Sequence, residues 1–154
     1  MQYYFARLSD LPEYADSVAR WYFEHWVAAS NPNGYVDVLD KVLASTRQQS
    51  VPFIVLALSQ QTLVGAVEVK CHDDDNDGRV WLDGVYIDEN YRGQGIARQL
   101  VLEALSQTRM AGFNRVYLKT KALNGGLYRH CGFKPLISPF DKASKTLLME
   151  AHLD

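Results

Sequence analysis

The sequence predicts an α/β protein with a mixed, mostly antiparallel central sheet flanked by helices. Three observations carry this prediction. Apolar residues recur at three-to-four spacing over residues 11–26, which is the period of an amphipathic helix. Runs rich in Val, Ile, Leu and aromatic residues, separated by polar turns, fill residues 53–87 as expected for a meander of strands. A turn with two glycines then leads into a long helical pattern over residues 95–110.

The N-terminal third is predicted to form one strand and two helices. Residues 2–8 make the first strand. Asp10 is placed to cap the first helix, and Pro12 falls in its first turn, where a missing N–H has little effect. The turn cluster Asn-Pro-Asn-Gly at residues 31–34 ends this helix. A second helix follows, with apolar side chains on one stripe over residues 38–46.

The rest of the chain continues with strands around a long helix. Pro52 opens this part, and Gly112 suits the left-handed position that follows the end of a helix. In chain order the predicted elements are strands 53–58, 62–70 and 80–87, helix 95–110, strand 115–120, helix 125–131 and strand 146–151. The full order is β-α-α-β-β-β-α-β-α-β, which we interpret as a single domain over residues 1–154.

Composition and charge narrow the class of protein. The chain has 154 residues, of which 47% are hydrophobic and 22% charged, as in an ordinary globular domain. Its net charge is −2 and no run of Lys or Arg stands out, so no nucleic-acid partner is expected. The chain shows no signal-peptide pattern and no membrane-length apolar run, and the cysteines Cys71 and Cys131 fit a reduced compartment. We therefore expect a cytoplasmic protein without a membrane partner, present as a monomer or homodimer.

The most informative motif is the turn before the long helix, Tyr-Arg-Gly-Gln-Gly-Ile-Ala at residues 91–97. Its two glycines allow a tight turn and a close approach of a ligand to the backbone. The first N–H groups of the helix, and the positive end of its dipole, point into this turn. An anion such as a pyrophosphate is the natural occupant. Taken alone, the glycines fit a purely structural turn equally well.

Three segments together resemble the GNAT superfamily of acyl-CoA-dependent N-acetyltransferases. Residues 92–97 fit the signature Gln/Arg-x-x-Gly-x-Gly/Ala, and residues 82–91 are similar to the fourth strand of that family and its following turn. In the segment 127–133, Tyr128 stands where the family has its usual acid. The resemblance is strong over residues 52–133 and weak in the N-terminal third. It implies acetyl-CoA as co-substrate and direct acetyl transfer to a primary amine.

The resemblance also implies which residues bind coenzyme A. The pyrophosphate would rest on backbone N–H groups at the start of the long helix, with added donors from Arg92 or Arg98. The pantetheine arm would lie along the edge of the fourth strand like an added strand, where the N–H of Val85 faces the developing oxyanion. Asn124 matches a position that bonds the cofactor arm, and it fits a helix cap equally well. The predicted cofactor-binding residues are Val85, Tyr86, Ile87, Arg92, Gly93, Gln94, Gly95, Ile96, Ala97, Arg98 and Asn124.

Amine acetylation requires a route for one proton. A lysine-like amine with a pKa of ~10.4 is only about one part in two thousand free base at pH 7, a penalty of ~4.6 kcal/mol. A carboxylate or a chain of waters can remove that proton. Asp83, which alternates with Trp81 and Val85 and so should face inward, and Glu68 on the neighbouring strand are the candidate bases. A structural role for either carboxylate stays open.

The departing thiolate needs a hydrogen-bond or proton donor, and Tyr128 is the candidate. Full transfer from a phenol of pKa ~10 to a thiolate of pKa ~8.5 is uphill by roughly 2 kcal/mol, so hydrogen bonding is as reasonable as transfer. The first helix and turn are rich in aromatic residues, and this region borders the acceptor pocket in the family. Trp26 and Tyr35 are therefore the candidate substrate residues, with core packing as the alternative.

The expected acceptor is a small primary amine, such as an aminoglycoside, a polyamine or an amino-acid derivative. A protein N-terminus or lysine is the alternative acceptor, and a non-catalytic acyl-CoA-binding module is the alternative function. A dinucleotide-binding oxidoreductase fits less well, because Arg98 stands where such a motif needs its third glycine.

No metal site is expected. Residues 73–78, Asp-Asp-Asp-Asn-Asp-Gly, begin like a calcium loop, but Gly84 stands where the bidentate Glu is needed. An acidic hairpin tip, which would attract cationic acceptors, explains this segment better. The pairs Cys71-His72 and His130-Cys131 lack the spacing of zinc ligands.

Overall fold

The computed structural model describes residues 2–47, 50–72, 78–143 and 145–153, with the backbone alone at residues 137–139. The strands are β1 (Tyr4–Arg7), β2 (Phe53–Ser59), β3 (Thr62–Lys70), β4 (Trp81–Ile87), β5 (Arg115–Thr120), β6 (Lys134–Asp141) and β7 (Thr146–His152). They form one seven-stranded sheet in the order β1-β2-β3-β4-β5-β7-β6. Neighbouring strands are antiparallel except for β4 and β5, which are parallel.

Helices cover both faces of this sheet. They are α1 (Ala15–Trp26), α2 (Tyr35–Ser45), α3 (Ile96–Met110) and α4 (Gly126–Arg129). Successive residues of β2 point to opposite faces, as strand geometry requires. Phe53 and Val55 join the core beneath α3, whereas Ile54 and Leu56 join the core beneath α1 and α2. Because both faces are buried, β2 is apolar from Phe53 to Leu58 instead of alternating.

The predicted fold class is confirmed, but the predicted order lacks one strand. β6 was not expected, because Pro135 and a second proline at position 139 argue against a strand. The structure resolves this conflict by placing β6 at the edge of the sheet, the position where strands tolerate proline. Its register with β7 is irregular between Pro135 and Phe140.

The start of α1 also differs from the prediction, since Asp10 does not cap it. Two short 3-10 turns, Leu8–Asp10 and Pro12–Tyr14, precede the helix, and neither has a side-chain cap. Leu8 is fully buried against α1, so the chain needs these turns to pass from that anchor to the start of the helix at Ala15.

The end of α3 follows the prediction. Gly112 has a φ of +98°, and its N–H donates to the carbonyl oxygen of Arg109 at 3.0 Å. The N–H of Phe113 reaches the carbonyl oxygen of Thr108 at 3.3 Å. These two bonds form the Schellman arrangement in which a left-handed glycine closes a helix.

The sheet opens between β4 and β5, and this opening positions the site. The two strands are paired in register only at Trp81 and Tyr117 within the described residues. β4 also contains a bulge: Glu68 of β3 pairs with Asp83, but Ala66 pairs with Tyr86, so β4 has one extra residue. The C-terminal half of β4 therefore leaves a cleft beside β5. Of the predicted acidic hairpin tip at residues 73–78, all but Gly78 lies outside the described residues.

Candidate active site

The loop between β4 and α3 is open. Gly93 and Gly95 both have a φ of +79°, a left-handed conformation that favours glycine. A Cβ added to either glycine would meet no heavy atom of the described residues within 4 Å. Gly95 precedes α3 without providing a side-chain cap, so the first N–H groups of the helix point into this open space. The residues present fit a diphosphate group.

The polar side chains of this loop hold it in place. Arg92 donates from Nε to the carbonyl oxygen of Ile87 at 2.9 Å, which ties the loop to the end of β4. Gln94 accepts a hydrogen bond from the hydroxyl of Tyr3. Arg98 is exposed on the first turn of α3. A phosphate contact from Arg92 or Arg98 stays a prediction.

The diverging half of β4 forms one wall of the cleft. Val85, Tyr86 and Ile87 lie beyond the point where β4 is paired with β5. The side chains of Val85 and Ile87 pack into the core beneath α3, whereas the ring of Tyr86 packs on α1, 4.8 Å from the ring of Trp21 and 4.5 Å from that of His25. The backbone on this side of β4 can pair with an extended, amide-containing ligand, which is the role predicted for it.

Two cavities open on the cleft and meet at three residues. The first, of about 500 Å³, runs from the glycine loop along β4 to α4. The second, of about 1130 Å³, is bordered by α1, α2, β3, β4 and β5. Both are lined by Trp26, Val85 and Tyr128. Two ligands, one in each cavity, would therefore meet beside these three side chains.

Glu68 lies in the wall of the second cavity and is only 9% exposed. Burial raises the pKa of its carboxyl group, although the nearby ammonium group of Lys70 opposes this shift. Nζ of Lys70 is 3.3 Å from Oε1 of Glu68. Glu68 is therefore a buried, ion-paired carboxylate directly opposite Asp83 in the sheet.

Asp83 lines the same cavity and forms a pair that the sequence patterns do not predict. Its Oδ2 lies 2.7 Å from Nε2 of His72, whose ring stacks on Trp81 with centres 4.4 Å apart. Glu68 and His72 are four residues apart along the chain, so strand alternation carries both to the face of Asp83. That alternation, continued past the end of β3, is the signal that could have found His72.

Tyr22 is a second residue that the sequence did not single out. Its hydroxyl is the one buried side-chain oxygen or nitrogen that lacks a hydrogen-bond partner within the described part of the chain. Burial raises the pKa of this hydroxyl, and the carboxylates of Glu68 and Asp83 raise it further. The ring fits against Gly84, where a Cβ would lie 2.8 Å from Cζ of Tyr22. A side chain at position 84 would therefore displace Tyr22 from the cavity wall.

Tyr128 reaches the junction of the cavities from α4. Its ring lies edge-on to that of Phe133, with centres 6.0 Å apart. Burial is the main cause that raises the pKa of Tyr128 to about 12, with smaller effects from Cys131 and Asp83. The phenol is consequently a proton-bearing donor at neutral pH.

The remaining predicted site residues differ in their position relative to the cavities. Asn124 uses Oδ1 to accept from the N–H of Gly126 at 3.0 Å in the turn before α4, whose N-cap is Gly125 and has no side-chain cap. Trp26 is 54% exposed at the junction of the two cavities. Tyr35 lines neither cavity: its hydroxyl bonds to Asp16, and its partly buried ring packs edge-on against Phe23.

The described residues contain neither a cluster of metal ligands nor a helix suited to a membrane. Among residues 2–47, 50–72, 78–143 and 145–153, no three His, Cys, Asp or Glu side chains are grouped as a metal site would require. Over the same residues, no helix has both the length and the apolar character needed to cross a membrane.

The site thus combines a sheet that parts between β4 and β5, an open glycine loop, and two cavities that share three lining residues. The chain matches the acetyltransferase (GNAT) family over residues 11–133, and it belongs to that family. It is similar to human N-acetyltransferase 8B, with 31% identity over 120 residues. The matched part is 71% of this chain and 53% of that relative, so the chain spans about half the length of the relative.

Solved structures show the same fold. The GNAT family N-acetyltransferase YhbS of Escherichia coli, in complex with coenzyme A, has a TM-score of 0.73 and 18% identity, covering 100% of this chain and 83% of that one. The PaiA N-acetyltransferase of Thermoplasma acidophilum, also in complex with coenzyme A, has a TM-score of 0.68 and 20% identity, covering 99% of both chains. At these identities the likeness concerns the fold.

Proposed function

We propose that this protein is an N-acetyltransferase that moves an acetyl group from acetyl-CoA directly to a primary amine. The observation that carries the proposal is the meeting of the two cavities at Trp26, Val85 and Tyr128. One cavity leads to an anion-binding loop, and the other contains carboxylates able to act as a base. Direct transfer needs both substrates side by side in one complex, and this arrangement provides for it.

The first cavity is the proposed site of acetyl-CoA. The N–H groups of Gly95 and the first turn of α3 would bind the diphosphate, and the exposed edge of Val85–Ile87 would pair with the pantetheine amides. When bound, acetyl-CoA supplies the thioester that is attacked. The N–H of Val85 is the proposed donor to the carbonyl oxygen of that thioester.

The second cavity is the proposed site of the amine. We assign proton removal to Asp83 together with His72, because their side chains are 2.7 Å apart and are 33% and 24% exposed. The proton therefore has a path from the amine to solvent. Glu68 is less suited to this role, since it is nearly buried and already paired with Lys70.

Tyr128 is the proposed donor to the departing sulfur. With a pKa of about 12, the phenol would transfer a proton to a thiolate of pKa ~8.5 uphill by about 5 kcal/mol. We therefore propose that Tyr128 stabilises the thiolate by a hydrogen bond and keeps its own proton. Trp26, at the same junction, would contact both substrates.

The proposal is tested by ligand-induced stabilisation and thiol release. Saturating acetyl-CoA should raise the Tm by about 5 °C or more, because binding at 100 times Kd contributes about 2.7 kcal/mol. NADH should leave the Tm unchanged. Thiol release from acetyl-CoA should depend on an added amine. Stabilisation by NADH without stabilisation by acetyl-CoA would contradict the assignment, and binding of acetyl-CoA without turnover of any amine would indicate a non-catalytic module.

A further inference from the structure

We propose that the acceptor carries an anionic group, such as a carboxylate, in addition to its amine, and that lysines of the second cavity bind that group. The inference rests on the proposed function, because it assigns a substrate class to the same site. It favours amino-acid derivatives over the aminoglycosides and polyamines that the sequence also allows.

The lining of the second cavity is rich in positive charge. Four of the seven lysines in the chain line it, and they come from different elements: α2, the end of β3, the end of β5 and the residue after β5. In that order they are Lys41, Lys70, Lys119 and Lys121. The carboxylates of the lining are Glu68 and Asp83. The whole chain has a net charge of −2, so this excess of cations is local.

Two of these lysines already have acidic partners. Nζ of Lys70 is 3.3 Å from Glu68, and Nζ of Lys119 is 3.6 Å from Oδ2 of Asp141. Lys41 and Lys121 make no ion pair within 4.0 Å among the residues that the structure describes. Neither ammonium group is held in such a pair, although the charge of Lys41 acts on Glu68 from beyond that distance, so both are available to an anionic group of the acceptor.

The lining of the second cavity would place the two ends of an acceptor in different electrostatic surroundings. The amine belongs at the junction with the first cavity, near Asp83. The far end of the same molecule would then lie among the lysines. A second ammonium group there would be repelled, whereas a carboxylate would be attracted. The lysines would thus weaken the binding of polyamines and strengthen the binding of anionic amines.

Three linear amines of equal chain length test the inference. They are δ-aminovalerate, pentylamine and cadaverine, which carry at the far end a carboxylate, a methyl group and a second ammonium. The kcat/KM should fall in that order, by roughly two- to fivefold at each step. Triglycine should likewise be acetylated faster than triglycine amide. Equal kcat/KM for all three amines would overturn the inference and leave the proposed function in place.

Single substitutions test which lysines cause the preference for an anionic acceptor. The ratio of kcat/KM for δ-aminovalerate to that for pentylamine should fall about twofold in Lys41→Gln and in Lys121→Gln. Lys134→Gln is the matched control, because Lys134 lies exposed on β6 and does not line the cavity. An unchanged ratio in both cavity variants would overturn the inference. A preference for cadaverine would do so too, and would point to the acidic residues 73–77 as the charge that attracts the acceptor. Failure of acetyl-CoA to raise the Tm would instead count against the proposed function.

Discussion

Replacing Tyr128 by Phe is expected to lower kcat about 100-fold, because one preorganised donor to a developing negative charge is worth 10²–10³ in rate. The hydroxyl stands where the two cavities meet, and its pKa of about 12 keeps it protonated over the whole range of a practical assay. The Kd for acetyl-CoA should change by less than about threefold, since the aromatic ring keeps its packing against Phe133. Steady-state kinetics and calorimetry separate these two effects.

Tyr4→Phe is the control for this substitution. Its hydroxyl bonds to the backbone of Gln60 on an exposed part of the sheet, so its removal should leave kcat unchanged. An unchanged kcat in Tyr128→Phe would remove Tyr128 from the mechanism. The unpartnered hydroxyl of Tyr22 would then be the next donor to examine.

Replacing Asp83 by Asn should have the second large effect, a loss of about 100-fold or more in kcat/KM at neutral pH, as expected for removal of a general base. The substitution keeps the size of the side chain and removes its ability to take a proton. The contact with His72 at 2.7 Å can persist, so the change should concern the proton and not the shape of the cavity. In a pH–rate profile, the alkaline-rising limb should shift in this variant.

Glu68→Gln separates the two candidate bases. Burial raises the pKa of Glu68 and Lys70 occupies one of its oxygens, so we expect the rising limb to stay where it is in this variant. A limb that moves in Glu68→Gln and stays in Asp83→Asn would assign the proton to Glu68. A limb unmoved by either change would assign it to a chain of waters.

Local features of the sequence were sufficient for most of the fold and for the open glycine loop before α3. Gly93 and Gly95 adopt a left-handed backbone that other residues rarely adopt, so the glycines themselves mark the turn. The dipole of the following helix can be inferred from the helix alone, without knowledge of tertiary contacts. Gly112 marks the end of α3 for the same local reason. Runs of Val, Ile, Leu and aromatic residues between polar turns likewise indicate strands without knowledge of their neighbours.

Features that depend on register or tertiary packing were not predictable. The contact of His72 with Asp83 requires the pairing of Lys70 with Trp81, which sets the alignment of β3 on β4. The hydroxyl of Tyr22 is buried without a hydrogen-bond partner among the described residues, and its position depends on the packing of α1 against the bulge in β4. Tyr35 is turned away from the cavities by its bond to Asp16, a contact between helices that no sequence spacing announces. β6 was not predicted, because prolines are accepted in a strand only at the edge of a sheet and the sequence does not show which strand lies there.

The central claim is that backbone N–H groups at the start of α3 bind the diphosphate of coenzyme A, and calorimetric titration of coenzyme A into Gly95→Ala and Gly112→Ala tests it most directly. Both glycines have positive φ, both have open space where a Cβ would stand, and they lie at opposite ends of α3. Each alanine should therefore lower the free energy of unfolding by a similar amount, about 1–2 kcal/mol. We predict that Gly95→Ala weakens the Kd at least about tenfold, because its methyl group enters the proposed phosphate space, while Gly112→Ala changes it less than about twofold. Equal Kd values for the two variants would contradict the claim.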